Sequence, residues 1–383
     1  MIRTIWNRIA ISPRFLGGIS VLLTLGMLTA CLWPFHAPKN TASPMAGGGI
    51  AFDRHGVLLS SGSLTVPGDR DNLSCSLELW LEPNPSRSFG TILAFYSPEN
   101  PRLFTINQWR TGLALRTASK SDPIRAEAAP FFAPDVFIPG KPVFITITSG
   151  ERGTEAYVNG ALIKASPVFS IPHKVLLGRF IAGTSASDDN GWPGQLRGLA
   201  IYDRTLSAAE VRTHSATWAG TGRPEISDSN ALLALYLLEE KTGRSFRSEI
   251  TGGPDLYLPE RYVVPAKSAF SAPSLDNGED IIANIVGFMP LGFTLCGYLI
   301  TSRRTRQTLV ATIAICGALS LMIESLQVFL PTRDSDLTDV ITNLIGSAIG
   351  AFIYHWGASK WSADALVTNK RGARAASAGG LVP

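Results

Sequence analysis

Four stretches of this chain are long, apolar and almost free of charge: residues 15–33, 281–300, 307–330 and 340–356. About 20 such residues are what an α-helix needs to cross the hydrocarbon core of a bilayer, so the pattern predicts four transmembrane spans. The third contains one acid, Glu324. Buried core helices would be equally apolar, and the flanking charges separate the two readings. Lys and Arg collect on the cytoplasmic side of membrane proteins. Arg3, Arg8 and Arg14 precede the first run, Arg303, Arg304 and Arg306 lie between the second and third, and Lys360, Lys370, Arg371 and Arg374 follow the fourth. The loop between the third and fourth has only Arg333, beside Asp334 and Asp336. Four spans with both tails, 1–14 and 357–383, in the cytoplasm satisfy every bias. The residues between the first two spans are then extracytoplasmic.

In that insert the period changes. Ser74–Leu81 alternates as a half-buried strand does, and so do Thr91–Phe95, Leu103–Ile106, Gly112–Arg116 and Val143–Thr148. Glu155–Ile163 predicts a hairpin around Asn159-Gly160, a strong two-residue turn signal. Ser207 and Glu210 have the spacing of a helix-capping box. Many short strands broken by Gly, Pro and Asn predict an all-β sandwich or barrel over 45–265.

Charge adds one exclusion. The net charge is +4, and the three cytoplasmic segments hold ten of the 34 basic residues but one of the 30 acids. The excess is topological, so no nucleic-acid partner is expected. Of four cysteines, Cys31, Cys296 and Cys316 fall in or beside spans and Cys75 stands alone in the insert, with no CxxC or disulfide framework. Leu28-Thr29-Ala30-Cys31 has the form of a lipobox, which would place cleavage and lipidation at Cys31. The apolar run continues through Trp33 to Phe35, favouring a retained span. Either way the insert is tethered outside.

The segments "SLELWLEP", "KPVFITITSGERGTEAYVNGALI" and "GQLRGLAIYDRTLSAAEV" resemble, in order, the core of the laminin-G-like, concanavalin-A-like lectin/glucanase superfamily, over about 47–220. The resemblance implies a two-sheet jelly roll that binds glycans or protein partners. The fold class expected is thus α-helical transmembrane with a jelly-roll ectodomain. Glu78, Trp80 and Glu82 share one strand face in the spacing that retaining glucanases give to carboxylates, but Trp occupies the central position. Retaining hydrolysis needs two carboxyls about 5–5.5 Å apart, whereas strand positions four apart are about 13 Å apart. These two acids are therefore expected to be solvated edge carboxylates. Asp188 and Asp189, beside Asn190 and Gly191, are candidate calcium ligands.

The spans contain costly polar groups, which mark function or helix pairing. Asp280 and Asn284 begin the second span on one face. Glu324 and Gln327 share a face of the third, Arg333 and Asp336 lie in the short loop, and Asp339 and Asn343 continue down the fourth. All converge on the outer leaflet. Gly346 and Gly350 suit close helix packing. "DIIANIVGFMPLGF", "SLMIESLQVFLPTRDSDLTDVITNLIGSAIG" and the early "LWPF" resemble the VanZ-like membrane family over 280–356 and the first span. This implies a bacterial plasma-membrane protein and an association with glycopeptide-antibiotic resistance. Two readings follow. One is a non-enzymatic envelope protein whose lectin-like domain binds a cell-surface glycan or an envelope protein. The other is an enzyme or transporter of a lipid-linked envelope precursor, with Glu324 or Asp339 handling protons and Arg333 holding a phosphate, which adds membrane lipid to the expected partners.

Overall fold

A computed structural model describes residues 12–64, 74–85, 88–117, 131–172, 175–223, 231–267, 278–300 and 305–378, with side chains undescribed at 305 and 359–378. Arg3, Arg8, Arg303, Arg304 and the side chains of Lys360, Lys370, Arg371 and Arg374 lie outside that set. The chain divides into two compact units. Residues Ala37–Lys267 form one, and the described residues on either side form the other.

After α1 (Pro13–Leu32) come β1 (Ser43–Pro44), β2 (Ile50–Phe52), β3 (Leu58–Ser60), β4 (Cys75–Pro83), β5 (Phe89–Tyr96), β6 (Phe104–Trp109), β7 (Gly112–Thr117) and β8 (Phe131–Ala133). Next follow β9 (Val143–Gly150), β10 (Gly153–Val158), β11 (Ala161–Ser166), β12 (Arg179–Ala182), β13 (Gly194–Tyr202), α2 (Ala208–Thr221), β14 (Leu232–Tyr236), β15 (Ser245–Phe246) and β16 (Leu256–Tyr257). One sheet runs β1-β2-β13-β4-β9-β10-β11 with β14 also on β13, and the other runs β15-β16-β3-β12-β5-β6-β7-β8. The ladders are antiparallel. Leu77, Leu79 and Ile145 of the first sheet meet Phe95, Ile106 and Leu115 of the second in the core between them. This is a β-sandwich of the lectin type.

Local chemistry explains the elements. Asn159 and Gly160 both have positive φ, 49° and 81°, as a primed hairpin turn demands. The Ser207 side chain accepts from the Glu210 backbone N–H while the Glu210 carboxylate accepts from the Ser207 N–H, starting α2. The helix buries Val211, His214, Ser215 and Trp218, one stripe at helical spacing. These lie on the outer face of the first sheet with Phe144, Tyr157 and Tyr202. A Cβ at Gly198 would collide with the Trp218 ring, so glycine there lets the helix seat. Strand β4 is consequently covered on both faces rather than half-buried, with Cys75 through Leu79 all inaccessible.

The unit closes where it opens. Lys39 and Arg261 form an antiparallel bridge, flanked by Asn40 N–H to Glu260 O at 3.2 Å and Tyr262 N–H to Pro38 O at 2.9 Å.

In the other unit α1 packs on α3 (Gly278–Leu299) and α4 (Thr305–Gln327), and both of these pack on α5 (Leu337–Ala378). Four helices, Pro13–Leu32, Gly278–Leu299, Arg306–Gln327 and Leu337–Ala358, are long and apolar enough to cross a membrane. A Cβ at Gly346 or Gly350 would strike the backbone of Ile285 or Met289, and one at Gly292 would strike Ser347, so α3 and α5 touch backbone to backbone. Helix α5 continues to Ala378 through residues expected to be a tail from 357; this stretch is rich in Ala, Lys and Arg, which favour helix.

Candidate functional site

Among the membrane-length helices the polar residues pair in several small sets. Asn284 Nδ2 donates to Asp339 Oδ1 at 2.7 Å, joining α3 to α5. Asn343 Nδ2 donates to Ser320 Oγ at 2.9 Å, joining α5 to α4, and its buried Oδ1 has no hydrogen-bond partner among the described residues. Glu324 is 3% exposed. Its Oε2 accepts the Asp336 backbone N–H at 3.0 Å, and its carbonyl accepts from Ser335 Oγ at 3.0 Å, which pins the loop onto α4. Gln327 Nε2 donates to Cys31 O at 3.1 Å. Asp280 is exposed in the first turn of α3.

Arg333 turns toward α1 rather than toward the acids beside it in the loop. Its Nη2 donates to Ala30 O at 3.2 Å and Trp33 O at 3.0 Å, and no acid pairs with it among the described residues. The last carbonyls of a helix lack partners and carry partial negative charge. Arg333 and Gln327 thus cap the end of α1. The Cys31 side chain is half-buried against α1's neighbours, within unbroken helix.

In the sandwich Glu78 is fully buried, not a solvated edge carboxylate. Its Oε2 accepts from the Tyr202 hydroxyl at 2.9 Å and its Oε1 meets His214 Nδ1 at 2.9 Å. Burial pulls the His214 pKa down, but the hydrogen bond and charge of Glu78 outweigh it and the net shift is upward. Burial and the same carboxylate push the Tyr202 phenol well above its usual range. Glu82, on the same strand face, pairs instead with Arg197 at 2.6 Å, and the guanidinium lies 5.8 Å from the Trp80 ring. The two acids are therefore in different surroundings with different partners.

The Asp188 carboxylate accepts from Arg102 at 3.0 Å and Ser187 at 2.9 Å. Asp189 Oδ1 accepts from the Tyr262 hydroxyl at 2.8 Å. Calcium takes six to eight oxygens, and among the described residues no group of three or more His, Cys, Asp or Glu is placed to hold a metal. This donor set fits the chain's own guanidinium and phenol better than a calcium ion.

The outer face of the second sheet is divided. Tyr262, Val263, Val264 and Ala266 cover β3, β12 and the end of β5 by packing on Leu59, Ala94, Tyr96 and Ile181. Over the part formed by β5, β6, β7 and β8 no such cover lies among the described residues. There Phe89 and Trp109 stand opposite each other in the ladder with their rings 5.1 Å apart at 89°, 46% and 53% exposed. Phe132 lies over Gly112. Beside these rings Asn107 and Thr91 hydrogen-bond at 2.8 Å, Asn190 donates to Thr91 at 3.0 Å, and Arg116 is exposed. Of these residues the sequence drew attention only to Asn190, as a neighbour of the calcium candidates. The alternation of Phe104–Trp109 places Thr105, Asn107 and Trp109 on one face, but only the strand register adds Phe89 and Phe132.

A family model of the concanavalin A-like lectin/glucanases superfamily matches residues 58–212, and the VanZ/LLP1 model matches residues 236–358. The latter leaves α1 outside it. No curated protein matches the chain. Solved structures with a similar sandwich include a candidate carbohydrate binding protein from Bacteroides ovatus ATCC 8483, at 10% identity and TM-score 0.38, covering 58% of each chain. The present chain thus spans a little over half the length of that protein. A heptameric SAP-like pentraxin from Limulus polyphemus has 14% identity and TM-score 0.35, with 58% of this chain and 93% of that one covered. A Trypanosoma rangeli sialidase has 15% identity and TM-score 0.33, with 47% and 29% covered. By the two family matches, the chain joins a concanavalin A-like lectin/glucanase domain to a VanZ/LLP1 segment that takes in three of its four membrane-length helices.

Proposed function

We propose that this protein is a multi-pass protein of the bacterial plasma membrane, with both termini cytoplasmic. Its extracytoplasmic sandwich binds a cell-surface glycan, in the service of envelope or surface-polysaccharide biology. The observation that carries this is the open part of the second sheet. Sugars present apolar C–H faces edged by hydroxyls. Phe89, Trp109 and Phe132 offer ring surface to the first, while Asn107, Asn190 and Arg116 offer donors and acceptors to the second. The test is saturable binding of the detergent-solubilised full chain to isolated peptidoglycan and capsular polysaccharide. Trp109→Ala with Phe89→Ala is expected to weaken binding at least tenfold. Binding unchanged in that variant would sink this assignment of the face, and no binding to any glycan would favour an envelope protein as partner.

A second reading is favoured by the burial of Glu324 and by the Asp339–Asn284 pair inside the membrane unit. Here the membrane half is an enzyme or transporter of a lipid-linked envelope precursor. A Glu324→Gln strain would then accumulate the lipid-linked intermediate, whereas unchanged precursor pools would remove this reading.

A further inference from the structure

A groove of about 610 Å³ opens between α1, α3 and α4, away from the polar residues discussed above. Val21 and Leu25 of α1, Leu295 of α3 and Leu319 of α4 wall it, and Arg14 stands at one end. Its depth comes from missing side chains on α1. Gly18 lines it, and a Cβ there would meet nothing within 4 Å. From Arg14 to Leu25 is eleven residues, about 16 Å at 1.5 Å per residue. That is about half of a 30 Å hydrocarbon core, so the groove is one leaflet deep. A transmembrane helix as occupant would need a groove twice as long.

The charge at its mouth is not there for the helix. Arg14 lies in the first turn of α1, where the helix dipole disfavours a cation, and it has no hydrogen-bond or ion-pair partner among the described residues. We infer that this groove seats one acyl chain of an anionic phospholipid, with the lipid phosphate against the Arg14 guanidinium. Apolar walls one leaflet long match a single chain, and a cation at the headgroup end matches an anionic headgroup. The inference rests on the spans of the proposed function but not on glycan binding. Failure of the sugar assay leaves it standing, and its own failure leaves the sugar-binding face untouched.

The experiment reconstitutes the full chain into nanodiscs of phosphatidylcholine containing trace spin-labelled phosphatidylglycerol or spin-labelled phosphatidylcholine, and reads the motionally restricted fraction. Wild type is expected to prefer phosphatidylglycerol about three- to tenfold. Arg14→Gln should lose that preference and Arg14→Lys should keep it. Gly18→Leu fills open space without touching a charge, so it should fold as wild type and lose the restricted component. Equal association of the two lipids in wild type, or an undiminished preference in Arg14→Gln, would overturn the proposal. So would a dimer of this chain that Gly18→Leu dissociates, because a second copy would then be the occupant.

Discussion

Glu78 shows what a single residue's surroundings can hide. Alternation along β4 assigns its face correctly but says nothing about what covers that face, and α2 covers it. Breaking a buried ion pair leaves an uncompensated charge and costs about 3–5 kcal/mol, so His214→Ala should lower stability by that order, measured as the thermal unfolding of the purified protein. The pair also sets a pH dependence. Glu210 and Arg204 are the other ionisable groups acting on His214, and the net shift is upward. A raised His pKa contributes stability that is fully present below the ordinary value near 6.5 and fades as pH rises through the folded-state value. The melting temperature should therefore fall between pH 6 and pH 9, and that fall should be absent in His214→Ala. The same blindness to context applies to Arg333. Sequence places it beside Asp334 and Asp336, whereas the carbonyls it caps belong to a helix about 300 residues earlier in the chain.

Elements were far more legible than partners. The Asn-Gly hairpin, the capping box and the four apolar helices each depend on a local rule, and each stands at the expected place. The end of α5 does not, because high helix propensity carries the backbone past the apolar run. Two changes probe the element scale. Ser207→Ala removes the cap of α2 and should cost about 1 kcal/mol, read as a modest drop in the unfolding midpoint. Gly350→Leu places a side chain where Met289 backbone lies and forces α3 from α5. Overpacking of this kind costs about 1–3 kcal/mol or more. A lower melting temperature, with aggregation in detergent, is expected. The open aromatic face was the opposite case: β6 alone shows its outward residues, but the face exists only once register sets β5, β6, β7 and β8 side by side.

At the scale of the molecule, hydropathy separates membrane helices from sandwich with no long-range information. It does not reveal that the two ends of the sandwich lie side by side. Because they do, replacing residues 38–266 with a short Gly-Ser linker should leave the helical unit inserted. Cysteine-accessibility mapping of the loop at Arg333 checks this, and an altered pattern would contradict it. The adjacency of Lys39 and Arg261 also has a mechanical consequence. A force that draws the two ends of the sandwich apart acts on this pair of antiparallel segments. It would load the Pro38–Tyr262 and Asn40–Glu260 bonds one after the other, as a zipper rather than in shear, so these bonds would give way before the ladders behind them.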